Sequence, residues 1–176
     1  MDPSTAFYGT LNIGERIAED FLAGFRQLVP EAGNSLDVLD LFCGKGFFLR
    51  GLQQRMPSWN LYGFDQNPPI IEEARNNCPE AIIETHRFPP MPYPTSSFDL
   101  ITANMVMDYS DTRPSVGFPT SFDFVNYAHE LSRGLRKGGH FSPFIDVPVT
   151  DLESEILRDF GLVAQPGNFP LFRKIK

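Results

Sequence analysis

Asp40 interrupts an apolar run, "VLDLF", near its end, and two glycines one residue apart, Gly44 and Gly46, follow in "FCGKG". Asp65 closes a second apolar run, "NLYGFD". Glycines leave the backbone bare, so a ligand can approach the loop closely. If a helix starts after Gly46, its first N–H groups are unpaired and carry a partial positive charge suited to a carboxylate or phosphate. A carboxylate at the end of the second strand can accept both hydroxyls of a ribose. Asn104, Asp108 and Tyr109 gather at the end of a third run, "FDLITANMVMDY", where an amide, an acid and a phenol could line a second ligand's pocket. Asp40 also has a plainer reading, as a strand-end acid capping the turn.

The elements that must position these groups follow from periodicity. Residues 14–29 carry Ile17, Phe21, Leu22, Phe25 and Leu28 at helical spacing. Residues 36–42 form a short apolar strand, 46–56 a helix and 60–65 a second strand. Pro68 and Pro69 open the next helix, where a missing N–H costs nothing. Residues 81–86 are a third strand. The stretch 88–97 is too rich in proline for a regular helix. Residue 98 opens the fourth strand, and 110–121 is a loop of about twelve residues, a length at which structureless loops tend to be functional. A helix over 122–137 is closed by Gly138 and Gly139. A fifth strand over 140–147, a helix over 150–161 and two short strands within 162–175 complete the chain. Alternating strands and helices predict an α/β fold with a mainly parallel sheet and helices on both faces. Ligands of such sheets bind beyond the carboxyl ends of the strands.

Two nucleotide-binding fingerprints fail. A dinucleotide site wants G-x-G-x-x-G, but Leu49 holds the third glycine position. Lys45 is misplaced for a P-loop. The arrangement instead resembles the class I S-adenosylmethionine-dependent methyltransferases. "VLDLFCGKG" is similar to their first motif, and "LYGFDQNPPIIEEAR" to their second. "MPYPTSSFDLITANMVMDY" resembles the family's fourth-strand segment, and "LSRGLRKGGHF" its glycine turn. The resemblance covers residues 14 to 147 in consistent order. It implies a Rossmann-like fold, with a seven-stranded sheet whose last strand is antiparallel, as one domain over 1–176.

The resemblance also implies S-adenosyl-L-methionine as cofactor and methyl transfer to a small or medium organic acceptor. Asp40, Phe42, Cys43, Gly44 and Gly46 would line the cofactor, with Asp65 on the ribose and Gln66 beside the adenine. The Phe88 backbone would face the adenine edge, with Arg87 and Asn104 in the same set. Asp108, Tyr109 and Asn104 are the candidates for the acceptor pocket and for any base. Pocket walls would come from Phe7, Tyr8, the 110–121 loop with Phe118, and Phe122. The alternative is a methyltransferase-like fold that binds cofactor or serves as a scaffold without methylating.

Arg87 departs from the family, many of whose members place an acid there. Arginine has five donors and no acceptor, so stacking, pairing with Glu84 and pointing to solvent are its options, the last two favoured. "NPPI" follows the second strand rather than the fourth, so it is not an amine clamp. No cysteine follows the fourth strand, so cytosine-type chemistry is unsupported, and Cys43 reads as a small buried residue. Phe47 and Phe48 read as core. His129 and His140 read as surface or core groups.

The charge of −7 over 176 residues disfavours a nucleic-acid partner, and Arg133, Arg136 and Lys137 read as a solvated helix end. Cys43 and Cys78 have no zinc-like spacing and make no disulfide framework, which fits a reducing cytoplasm. No metal site is expected. No apolar run is long enough for a membrane span, and no signal peptide is evident. A homo-oligomer or a partner subunit could complete the acceptor site.

Overall fold

The computed structural model describes residues 11–107, 121–145, 158–164 and 170–176. The strands are β1 (Asp37–Leu41), β2 (Asn60–Asp65), β3 (Ile82–Thr85), β4 (Phe98–Met107), β5 (Leu135–Ile145), β6 (Phe160–Ala164) and β7 (Leu171–Lys174). The helices are α1 (Leu11–Leu28), α2 (Phe47–Arg55), α3 (Pro68–Asn77) and α4 (Ser121–Gly134). The seven strands form one sheet in the order β3-β2-β1-β4-β5-β7-β6. β7 runs antiparallel to both β5 and β6, while β1, β2 and β3 pair in parallel, as do β4 and β5. The expected Rossmann-like sheet with its antiparallel last strand is therefore the observed one.

The chain divides into two compact units, residues 1–86 and 87–176. In the first, β1 and β2 are short, mostly apolar strands whose centres are buried, with Asp40 the buried acid of β1. Val38, Leu39, Leu41, Leu61 and Phe64 are buried. Helix α1 buries Phe21, Leu22 and Phe25 of the expected stripe, together with Ala18, while Ile17 and Leu28 at its ends are only half-buried. It lies tightly on α2. A Cβ on Gly51 would come within 2.6 Å of the Ala18 Cβ, and Phe21 meets Phe48 edge-on at 5.8 Å. Phe48 is core as expected, and Phe47 is half-buried.

In the second unit, Phe141, Phe160 and Phe172 pack together in the hydrophobic core. Helix α4 ends at Gly134, not at 137. The glycine pair that looked like its cap belongs to β5, within an irregularity where Phe98 pairs with Leu135 but Leu100 with His140. The true end is set from a distance: the Lys174 ammonium donates to the carbonyls of Ser132 and Leu135 at 2.6 and 2.9 Å. Phe160 and Gly161, expected at the end of a helix, lie in β6 and pair with Lys174 and Arg173. Arg158 and Asp159 are helical as expected, and residues 150–157 of that helix lie outside the described residues.

Candidate functional site

Parallel pairing fixes where the glycine loop meets β2. Leu41 is opposite Phe64, so Asp65 extends one residue beyond the end of β1. The loop then folds across that end. The Cys43 N–H donates to the Phe64 carbonyl at 3.0 Å, and the Gly44 N–H to Asp65 Oδ2 at 3.3 Å. Asp65 Oδ1 accepts the Asn67 N–H at 3.0 Å. Each carboxylate oxygen thus takes one bond from backbone. A carboxylate has about four lone-pair sites, so both oxygens retain capacity for a ligand's hydroxyls.

Phe42, Gly44 and Gly46 all adopt left-handed φ, at 56, 51 and 74°, with residues of ordinary φ between them. Such alternation folds the loop sharply enough for the Cys43, Gly44 and Gly46 N–H groups all to reach protein acceptors. The Gly46 N–H is spent on the Cys43 carbonyl at 2.9 Å, closing the turn, and the Gly46 carbonyl accepts the first helical bond, from Arg50. The Lys45 ammonium pairs with Glu73 at 2.9 Å, and its carbonyl accepts from the Asn77 amide at 2.9 Å. Helix α3 therefore braces the loop.

The two glycines differ. A Cβ on Gly44 would meet nothing within 4 Å, so its backbone borders open space. A Cβ on Gly46 would lie 3.2 Å from the Ala74 backbone. Gly46 was expected to clear room for a ligand; its local need is the close packing of α3.

Asp40 is 1% exposed, on the strand that leads into the loop. Cys43 is buried, and its thiol is held well above the usual range, first by desolvation, then by the carboxylates of Asp40 and Asp65. Burial of this kind disfavours the thiolate, the form that acts as a nucleophile. The ring of Phe42 meets Phe64 edge-on at 6.4 Å. Gln66 is exposed beside Asp65.

In the second unit, Phe88 is buried with its ring edge-on to Tyr127 at 4.9 Å. Arg87 is exposed, the solvent option among its three. Asn104 lies in β4, opposite Phe144 of β5. Asp108, Tyr109, Phe7, Tyr8, Phe118 and the 110–120 loop lie outside the described residues. His129 is exposed and His140 buried, as expected of surface and core groups. The basic cluster is a correction: Arg133 and Arg136 are bonded into the protein, to Glu130 and Asp99.

Sequence reasoning missed Gly63 and Asn67. A Cβ on Gly63 would lie 3.0 Å from the Cys43 Sγ and 2.8 Å from Leu49, so this glycine lets the loop sit on β2. A glycine inside a strand is the signal for such an approach. Asn67 acts through its backbone amide, which no side-chain pattern reveals. Among the described residues no cluster of His, Cys, Asp and Glu could hold a metal, and no helix is long and apolar enough to cross a membrane.

A family model described as a methyltransferase domain matches residues 38–139, more than half of the chain. A malonyl-[acyl-carrier protein] O-methyltransferase of Hahella chejuensis is 32% identical over 130 residues, which are 68% of this chain and 42% of that protein. This chain thus spans about two-fifths of that relative's length. A TehB-like S-adenosylmethionine-dependent methyltransferase of Corynebacterium glutamicum shares the fold with TM-score 0.61 at 18% identity, over 95% of this chain and all of that one. The S-adenosylmethionine-bound amino pentose methyltransferase of Micromonospora echinaspora aligns with TM-score 0.58 at 19% identity, over 74% of this chain and 50% of that one.

Proposed function

This chain belongs to the methyltransferase domain family of class I S-adenosylmethionine-dependent enzymes, and from that premise we propose that it binds S-adenosyl-L-methionine at the β1–α2 loop and transfers its methyl group to a small or medium organic acceptor. One observation carries the reading. The Asp65 carboxylate is held by the Gly44 and Asn67 amides with accepting capacity left on both oxygens, beside a glycine that borders open space. A ribose diol, with two hydroxyls to donate, fits those remaining acceptor positions.

In this reading Asp65 accepts the ribose hydroxyls, and Gln66 and the Phe88 backbone flank the adenine. Asp40, Phe42, Cys43, Gly44, Gly46 and Asn104 surround the rest, with Asp40 acting directly or through water, and Arg87 faces solvent at the rim. The bound sulfonium supplies an activated methyl group. What the chain adds is position and exclusion of water, which together account for much of the barrier reduction in such displacements. Asp108, Tyr109 and Asn104 line the acceptor side, where a base helps if the acceptor is a hydroxyl. Both cysteines are free and buried, which suits a reducing cytoplasm.

The test is calorimetry with S-adenosylhomocysteine, followed by an acceptor screen with labelled S-adenosylmethionine. Because the Hahella chejuensis relative is named for a malonyl group on a carrier protein, carboxylic acids, free and carrier-bound, enter the screen beside amines and alcohols. Binding without turnover on any acceptor would favour a non-methylating cofactor-binding subunit; absence of binding would defeat the methyl-transfer reading and leave the scaffold.

A further inference from the structure

One face of α4 tracks the irregular segment 88–97 residue by residue. Tyr127 packs edge-on to Phe88 at 4.9 Å. Three residues along the helix, Glu130 Oε2 accepts the Met91 N–H at 2.7 Å. Three further, Arg133 donates to the Tyr93 and Met91 carbonyls at 2.8 and 2.9 Å, and to both oxygens of Glu130 at 2.8 and 2.7 Å. The carbonyls of Arg133 and Gly134 then accept the Ser96 and Ser97 amides at 2.8 and 2.9 Å.

The segment needs this help. Pro89, Pro90, Pro92 and Pro94 have no N–H to donate, and no helix or strand runs through it. It is instead held by α4, through the Glu130 and Arg133 side chains at Met91 and Tyr93 and through main-chain carbonyls at Ser96 and Ser97. The Glu130–Arg133 pair is the centre of that hold. The guanidinium spends four donors in one planar fork, a pattern a lysine cannot reproduce. The pair is mostly shielded, with 13% and 24% side-chain exposure, so its bonds face little competition from water.

We propose that Arg133 and Glu130 are positioning residues for the nucleotide end of the cofactor site. They set the backbone at Phe88, which the proposed function places against the adenine edge, and the inference rests on that reading. The two residues touch no cofactor themselves. They act through Met91 and Tyr93 on a wall that has no regular structure of its own. A purely structural pair would lower stability and leave affinity alone once the protein is folded.

The experiment uses the full chain with Arg133→Lys and Glu130→Gln, which keep size and avoid the cavity that alanine would leave. Binding of S-adenosylhomocysteine and of 5′-methylthioadenosine is measured by calorimetry at a temperature where circular dichroism shows each variant folded. Amide exchange over 88–97 is followed in parallel. Each variant should weaken both ligands by a similar factor, roughly tenfold, since charge-assisted bonds holding the wall are lost. Exchange at Met91 should accelerate. Unchanged affinity for both ligands despite faster exchange overturns the inference and leaves the cofactor reading standing. So does a loss confined to S-adenosylhomocysteine, because the effect then lies at the amino-acid end. Wild-type protein that binds neither ligand overturns the cofactor reading and this inference with it.

Discussion

The Gly44 amide donates to the Asp65 carboxylate at 3.3 Å, so the glycine loop, already bonded to β2 through the Cys43 amide and the Phe64 carbonyl, is also tied to the acid that ends that strand. With Asn67 on its other oxygen, the carboxylate is held in place before any ligand arrives. Asp65→Ala should weaken S-adenosylhomocysteine binding by roughly 2–3 kcal/mol, through loss of two charge-assisted bonds. Calorimetry reads this directly. A variant that binds as wild type moves the ribose site elsewhere.

Gly44 and Gly46 should separate binding from folding. At Gly44 the space is open but φ is +51°, so Gly44→Ala should cost about 1–2 kcal/mol of stability for the left-handed backbone. Its methyl group would intrude on the proposed ligand space and reduce affinity far more than stability. Gly46→Val meets the Ala74 backbone as well as a positive φ and should lower thermal stability outright. Paired melting curves and titrations check both, and a Gly46→Val protein as stable as wild type would contradict the packing account.

How much of this was legible in the sequence depends on how far away the deciding partner lay. "NLYGFD" is a strand over the residues expected, because its apolar run and flanking turns are local signals. The parallel order and the loop at the end of β1 followed from the same alternation. The end of α4 was misjudged because Gly138 and Gly139 resemble a local cap, whereas Lys174 and the crowding of Gly134 by the Met91 sulfur come from distant segments. Arg133 was misjudged for the same reason: its carbonyl partners lie 40 and 42 residues earlier. The Asp65 position was legible from its place at a strand end; the amides that hold it were not, since backbone donors carry no sequence signature.

Glu130 predicts an acid-sensitive hold on the 88–97 segment. Its carboxyl is lowered from the ordinary value, chiefly by the hydrogen bond from Arg133, against a smaller opposing effect of burial. A folded value below the unfolded one means that the pair's stabilisation is complete above the unfolded value, near ~4.3, and is lost as pH falls through the folded value. The stability difference between wild type and Glu130→Gln, from urea unfolding, should be constant near neutrality and shrink as pH falls below about 4. A difference that grows on acidification has the wrong sign for this arrangement.

Cys43 and Cys78 should be slow thiols. Desolvation holds Cys43 well above the ordinary range and pushes Cys78 up to about 11. A thiol-disulfide reagent near pH 8 should label the folded protein slowly and the urea-unfolded protein at once. Cys43→Ala should leave S-adenosylhomocysteine binding within a few-fold of wild type. Rapid labelling of Cys43 in the folded state would reopen the case for it as a nucleophile.

The central claim is that the β1–α2 loop and Asp65 hold S-adenosyl-L-methionine, and titration calorimetry of the full chain against S-adenosylhomocysteine, with NAD as competitor, tests it most directly. The account predicts one site of micromolar affinity, about −8 kcal/mol, weakened by Asp65→Ala and indifferent to NAD. Tight NAD binding with no uptake of S-adenosylhomocysteine would contradict it.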